Sequence, residues 1–254
     1  MIRTAIRRLA GALLLAAGAA GAAFAEPTEI TVRVLSRDAK FIGSSMGSVE
    51  VTIADEASGE VLAEGLTRGG TGDTARIMQQ PRTRGDGIAI GDAAAFHAVV
   101  DLEQPRRLRV TAHGPGGHPD SANTVSASQW VLPGRHLKGD GWVLEMPGLV
   151  VNLHDLPQRA SAGGVDVRAS VQMMCGCPLT PGGLWDSNDF EVEVDALQDG
   201  EVRSTAPLEF AGEASEFAGR VELPGPGEWR LRVRAWQPAT GNAGVGEGTL
   251  EVGQ

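Results

Sequence analysis

Tyrosine is absent from this chain, and only two of its 254 residues are cysteine. The first absence removes one common platform for sugar recognition. The second means that disulfides cannot be the general stabiliser of so long a chain. Stability has to come from a packed core, which an apolar content of 42% allows. Several chemical signatures are missing too. There is no H-x-x-x-H or H-E-x-x-H zinc pattern, no D-x-[DN]-x-[DN]-G calcium loop and no G-x-S-x-G nucleophile elbow. The stretch GGTGDT (69–74) has a phosphate loop's glycines but neither its Lys-Ser/Thr ending nor a following helix. Beyond the N-terminus no apolar run approaches the roughly 18 residues of a spanning helix. Basic residues are scarce, 22 Lys and Arg against 32 Asp and Glu. That balance argues against nucleic acid or an anionic membrane surface as the main partner.

What is present begins with a leader pattern. Arg3, Arg7 and Arg8 precede an Ala/Leu/Gly run that ends in Ala23-Phe24-Ala25, a small-x-small cleavage site. Residues 1–25 therefore read as a secretory signal peptide. Losing it takes the formal charge from −10 to −13, since three arginines and no acids go with it. The expected location is periplasmic or secreted, where a cysteine pair can persist as a disulfide.

The rest reads as strands. EITVRVLS, GSVEVTIAD, RRLRVTAHG, VDVRASVQM, DFEVEVDAL and EWRLRVRAW alternate apolar and polar residues over short runs, with Gly, Pro, Asn and Asp between them. Period 2 with frequent turns predicts an all-β protein. The pattern also repeats. AFHAVVDLEQPRRLRVTAHG lies over EFAGRVELPGPGEWRLRVRAW, with Phe96 on Phe217 and Leu102 on Leu223. In strand number and spacing both units resemble immunoglobulin or fibronectin type III domains. The resemblance implies two tandem β-sandwiches, expected over 26–157 and 158–254. The antibody Cys…Trp…Cys spacing is absent. The first unit carries a long polar insertion, TRGGTGDTARIMQQPRTRGDGIAIGD, expected to be a structured hairpin with tight turns. DAAAFHAV could add a turn or two of helix.

Chemistry concentrates in QMMCGCPLTPGGLWDSND (172–189), which holds both cysteines. Continued extension of VDVRASVQMMCGC puts Met173, Cys175 and Cys177 on one face and Met174 on the other. Residues two apart on a strand are roughly 6.5–7 Å apart at Cα, against about 4.4–6.8 Å for a disulfide. Gly176 permits a tighter turn, and Pro178 ends the ladder. Three readings follow: a Cys175–Cys177 disulfide pinning a loop, a redox pair, or a copper site. For the last, Cys175, Cys177 and Met173 or Met174 supply the soft ligands that Cu(I) favours. Trp185 is expected as a lid or core residue on the loop's return. Asp186 adds a nearby carboxylate, and His113 and His118 share the turn-rich HGPGGH. Glu191, Glu193 and Asp195 are expected on a solvated face.

The expected function is that of an exported binding or accessory protein. It would act through loop surfaces on a protein partner of the cell envelope. A copper-handling protein is the alternative. A hydrolytic enzyme with a loop-built site in the first unit is a third.

Overall fold

The computed structural model describes residues 25–154, 156–161 and 163–253. The expected leader, but for Ala25, lies outside them. The first seven strands are β1 (Glu26–Ser36), β2 (Glu50–Asp55), β3 (Val61–Leu66), β4 (Phe96–Leu102), β5 (Arg106–Gly114), β6 (Asn123–Val131) and β7 (Leu137–Met146). They form two sheets, β4-β1-β7 and β3-β2-β5-β6. Alternation decides which side faces in. Ile30, Val32 and Val34 of β1 meet Val49, Val51 and Ile53 beside and in β2, and Leu108 and Val110 of β5, in one buried cluster. β-branched side chains dominate this cluster because they fit a pleated, half-buried surface.

The remaining strands are β8 (Leu149–Leu153), β9 (Arg159–Ala160), β10 (Val165–Met173), β11 (Glu191–Gln198), β12 (Glu201–Pro207), β13 (Glu209–Phe210), β14 (Glu216–Val221), β15 (Gly227–Gln237) and β16 (Asn242–Val252). Their sheets are β13-β14-β10-β8 and β12-β11-β15-β16-β9. Val167, Val171, Val194, Trp229 and Leu231 lie in the core between them. The chain is thus all-β, built as two immunoglobulin/fibronectin III-like sandwiches.

Setting aside the two-residue strands β9 and β13, the sheet orders correspond, with one strand of different origin. β14-β10-β8 overlies β4-β1-β7, and β12-β11-β15-β16 overlies β3-β2-β5-β6. Phe96 and Phe217, aligned in sequence, pair with Val32 of β1 and Ala169 of β10. The third strand of the smaller sheet has a different origin in each copy. β7 comes last in the first sandwich and runs parallel to β1. β8 precedes the second sandwich and runs antiparallel to β10, with Val151 opposite Val171.

The strand at 149–153 therefore differs from expectation. The sequence reading ends the first unit with it, whereas its hydrogen bonds go to the second sandwich. LVVNL opens as an apolar run without alternation, so periodicity cannot assign it a face. Leu149 and Val151 pack in the second core, and Val150 packs in the first. Both sides of β8 are used, which is why both are apolar.

The insertion at 67–95 is structured, as a hairpin-like excursion with a small core of its own. Ile77, Ile88, Ala93 and Ala94 pack on Phe41. Asp140 of β7 accepts from the backbone N–H of Ile88 and of Ala89, at 2.9 and 2.8 Å. The Arg33 guanidinium donates to the carbonyls of Ala93 and Ala94. These contacts hold 93–95 extended, bridged to Arg68 and Gly70, and Phe96 opens β4. The helical turn that alanine's preference allowed for DAAAFHAV does not form; AAFHAVVDL, which also alternates, supplies β4 instead.

Candidate functional site

β10 ends at Met173, and the chain turns instead of extending. The Gly176 N–H donates to Met173 O at 2.8 Å, and the Met173 N–H to Cys177 O at 3.1 Å. Gly176 has φ +78°, a left-handed conformation that side chains rarely adopt. The turn draws the two cysteine Cα atoms to 5.4 Å, and Cys175 and Cys177 are disulfide-bonded. In this state neither sulfur is a thiolate, so the pair offers a metal no anionic ligand.

The two methionines go separate ways. Met173 joins Cys175 and Cys177 in the core of the second sandwich. Met174 is wholly buried in the core of the first. The structure therefore brings Met173 to the cysteines and takes Met174 away. The stretch is the joint between the sandwiches. A side chain placed on Gly176 would meet Met46 Sδ of the first sandwich at 2.5 Å. Trp185 is 8% exposed, and its indole N–H donates to Asp38 O of the first sandwich at 2.8 Å.

Further polar bonds complete the joint. Asn242 is fully buried at the start of β16. Its amide donates to Arg37 O at 3.1 Å and to Gln237 Oε1 at 3.0 Å. Its oxygen accepts from the Gly148 N–H at 3.0 Å. Gln237 donates to Asp38 Oδ2 at 2.9 Å. Ala39, from the same loop as Asp38, is buried in the second core.

The other candidates lie apart from the turn. Asp186 caps the short Ser187–Asp189 turn and accepts from Asn188. Backbone hydrogen bonds from Asn188 and Gly182 hold its carboxyl below its ordinary range. His113 points outward from β5, with Nδ1 2.9 Å from Thr124 Oγ1. His118 precedes the Pro119–Ser121 turn, whose Ser121 N–H donates back to His118 O at 3.0 Å. Among the described residues no group of three or more His, Cys, Asp or Glu side chains converges as a metal site. Asp195 departs from the solvated-face expectation. It is 5% exposed, clasped by Arg234 Nε at 2.7 Å and Nη2 at 3.0 Å, and by Thr205 Oγ1 at 2.8 Å. Alternation places a carboxylate on the outer face, but the arginine folded over it is a cross-strand matter.

One surface was not anticipated. β6 is the edge of its sheet, so among the described residues one side of its backbone has no strand partner. It pairs with β5 in unbroken register from Asn123 to Val131. Its sequence, NTVSASQWV, contains no charge, proline or glycine. Four other edges carry such gatekeepers: Glu64 on β3, Asp101 on β4, Lys138 and Glu145 on β7, Glu201 and Arg203 on β12; β8, which is uncharged too, is instead packed against Gly244 and Gly246 of β16. Edge strands normally rely on such residues to prevent unplanned pairing. Trp130 on β6 is 65% exposed, directly opposite Arg107. Arg107 is held by Glu56 at 2.6 Å, and Glu56 also accepts from Ser128 Oγ at 2.7 Å. The Ser128 and Arg109 hydrogen bonds hold the Glu56 carboxyl below its ordinary range. Beside Trp130 opens a cleft of about 420 Å³ between the Asp55–Glu60 turn and Gln104–Arg107. The signal was legible in principle: an alternating strand without charge, with an outward tryptophan one residue before its end.

No family model matches the chain. No curated protein matches it. Among solved structures it is similar to fibronectin(III)-like modules of CbhA from Clostridium thermocellum, at 12% identity, covering 80% of this chain and 78% of that one, with a TM-score of 0.25. A marsupial T cell receptor is similar at 9% identity, 90% and 73% coverage, and a TM-score of 0.30. So is the tip fimbrial protein Mfa3 from Porphyromonas gingivalis with C-terminal truncation, at 11% identity, 87% and 80% coverage, and a TM-score of 0.28. The likeness is one of sandwich fold alone.

Proposed function

We propose that this chain is an exported accessory protein of the cell envelope that binds an extended segment of a protein partner along β6. The observation that carries this reading is the uncharged, unbulged nine-residue edge with exposed Trp130 as its penultimate residue. Strand addition supplies affinity through main-chain hydrogen bonds, and flanking side chains supply selectivity. Tryptophan and arginine are the residues most often found at interface hot spots. Here Arg107 is oriented beforehand by Glu56, which lowers the cost of ordering it on binding. Export rests on the Arg-rich, Ala/Leu leader ending at Ala25, and the net negative charge suits a partner with basic flanks.

A photo-crosslinking residue at Ser126 in the native host tests the reading. The expected result is a discrete adduct with one envelope protein, lost in Trp130→Ala while the variant's Tm stays unchanged. Its mature N-terminus should be Glu26 by intact mass. A chain retained in the cytoplasm, or adducts that are diffuse and indifferent to Trp130→Ala, overturns it.

A further inference from the structure

The Cys175–Cys177 bridge sits where a staple for either sandwich would be misplaced. The first sandwich, whose sheet order matches but for one strand, folds around its core without cysteine. Within the second, the bridge closes a ring spanning a single intervening residue. A loop that short restrains little of the unfolded chain, so its contribution to global stability is small. Its local consequence is larger. It fixes the direction in which the chain leaves β10, and three contacts with the first sandwich depend on that direction. Met174 enters the first core. The Gly176 backbone lies against Met46. Trp185, packed in one cluster with both cysteines, reaches Asp38.

From these contacts we infer that the bridge is a redox-sensitive clamp on the joint: oxidised, it locks the two sandwiches in one orientation, and reduced, it lets them move. The step is ordinary thiol–disulfide exchange with a dithiol donor. A donor thiolate attacks one cysteine sulfur and forms a mixed disulfide, and the other cysteine leaves as a thiolate. The donor's second thiol then displaces the first cysteine. Two electrons and two protons pass to the protein, and the donor leaves as its own disulfide. Two free thiols no longer share a bond in a core already closely packed around them. The turn opens, and Met174, Gly176 and Trp185 lose their common register. The inference stands independently of the partner proposed for β6.

The test compares oxidised protein, chemically reduced protein and the Cys175→Ser/Cys177→Ser variant by amide hydrogen exchange and small-angle scattering. Reduction is expected to speed exchange of the Gly148 amide about ten-fold or more, while the amides of β2 and β11 change less than about two-fold. Scattering should show a broader distribution of inter-sandwich arrangements. Gly176→Ala, which keeps both cysteines, should give the same loosening while oxidised. Uniform exchange and scattering across all forms would mean that the bridge only pins its own loop. Loss of β10 and β11 protection on reduction would make it a core staple. Either outcome overturns the clamp.

Discussion

Asn242→Ala tests how the joint is held. The native side chain is fully buried and uses both its donors and its acceptor. Alanine removes the partner of the Arg37 carbonyl and of the Gly148 N–H. Each buried group left without a partner costs about 1–3 kcal/mol. Gln237 Oε1 keeps its bond from Thr240 at 2.6 Å, so it adds little. The sum is about 2–4 kcal/mol, allowing for partial rescue by water. The loss falls on the joint and not on either core. Urea unfolding should therefore change character as well as midpoint. Wild type should unfold in one transition, because the cores share β8 and Met174. The variant should resolve two, followed by tryptophan fluorescence from Trp130 and Trp142 in one sandwich and Trp185, Trp229 and Trp236 in the other. A variant that loses less than about 0.5 kcal/mol and keeps one transition refutes the idea that this amide couples the sandwiches.

Three further substitutions probe other parts of the structure. Burial by itself would raise the pKa of Asp195, but hydrogen bonds from Arg234 and Thr205 outweigh it and hold the carboxyl below its ordinary range. The stability this supplies is fully present above the ordinary carboxylate pKa and is lost as pH falls through the depressed folded value. Asp195→Asn should cost about 1–3 kcal/mol at neutral pH, the worth of a charged hydrogen bond, and Tm measured against pH should fall less steeply toward acid than in wild type. An unchanged acid slope contradicts the assignment. Gly246→Val places a Cβ 2.8 Å from Val151 O, a backbone atom that cannot swing aside. It should cost about 1–3 kcal/mol by urea titration, whereas Gly241→Ala, with nothing within 4 Å of its Cβ but φ +74°, should cost only its backbone strain.

Much of the fold is visible residue by residue. The alternation in ITVRV and VDVRA puts Val32 and Val167 inside because strand geometry alone turns every second side chain to the same face. Phe96 and Phe217 mark the repeat, and they occupy equivalent strands. The candidate stretch is legible in part. Gly176 signals a turn that can bring two cysteines within bonding reach. Nothing local says that Met173 and Met174 part company into different cores, since that depends on a surface contributed from residue 46. Asp195 is similar. Its alternation places it outward, but its burial is made by Arg234 on the neighbouring strand. The glycines at 244, 246 and 248 share one face of β16, a period-2 pattern available in the sequence. Their purpose, the close approach of β8 and Leu156, is not.

The sequence by itself determined the local choices: strands from β-branched alternation, turns from glycine and aspartate, the doubling of one wiring, and the uncharged character of β6. These follow from short-range sterics and hydrophobicity, which act over a few residues. Only the tertiary structure decided that β8 serves the second sandwich while one of its valines faces the first core. It alone decided that Cys175–Cys177 stands at a joint, and that Asn242 links segments nearly a hundred residues apart or more. The physical reason is the same in each case. Burial and hydrogen-bond satisfaction are properties of the assembled surface, and no window of sequence contains both of its sides.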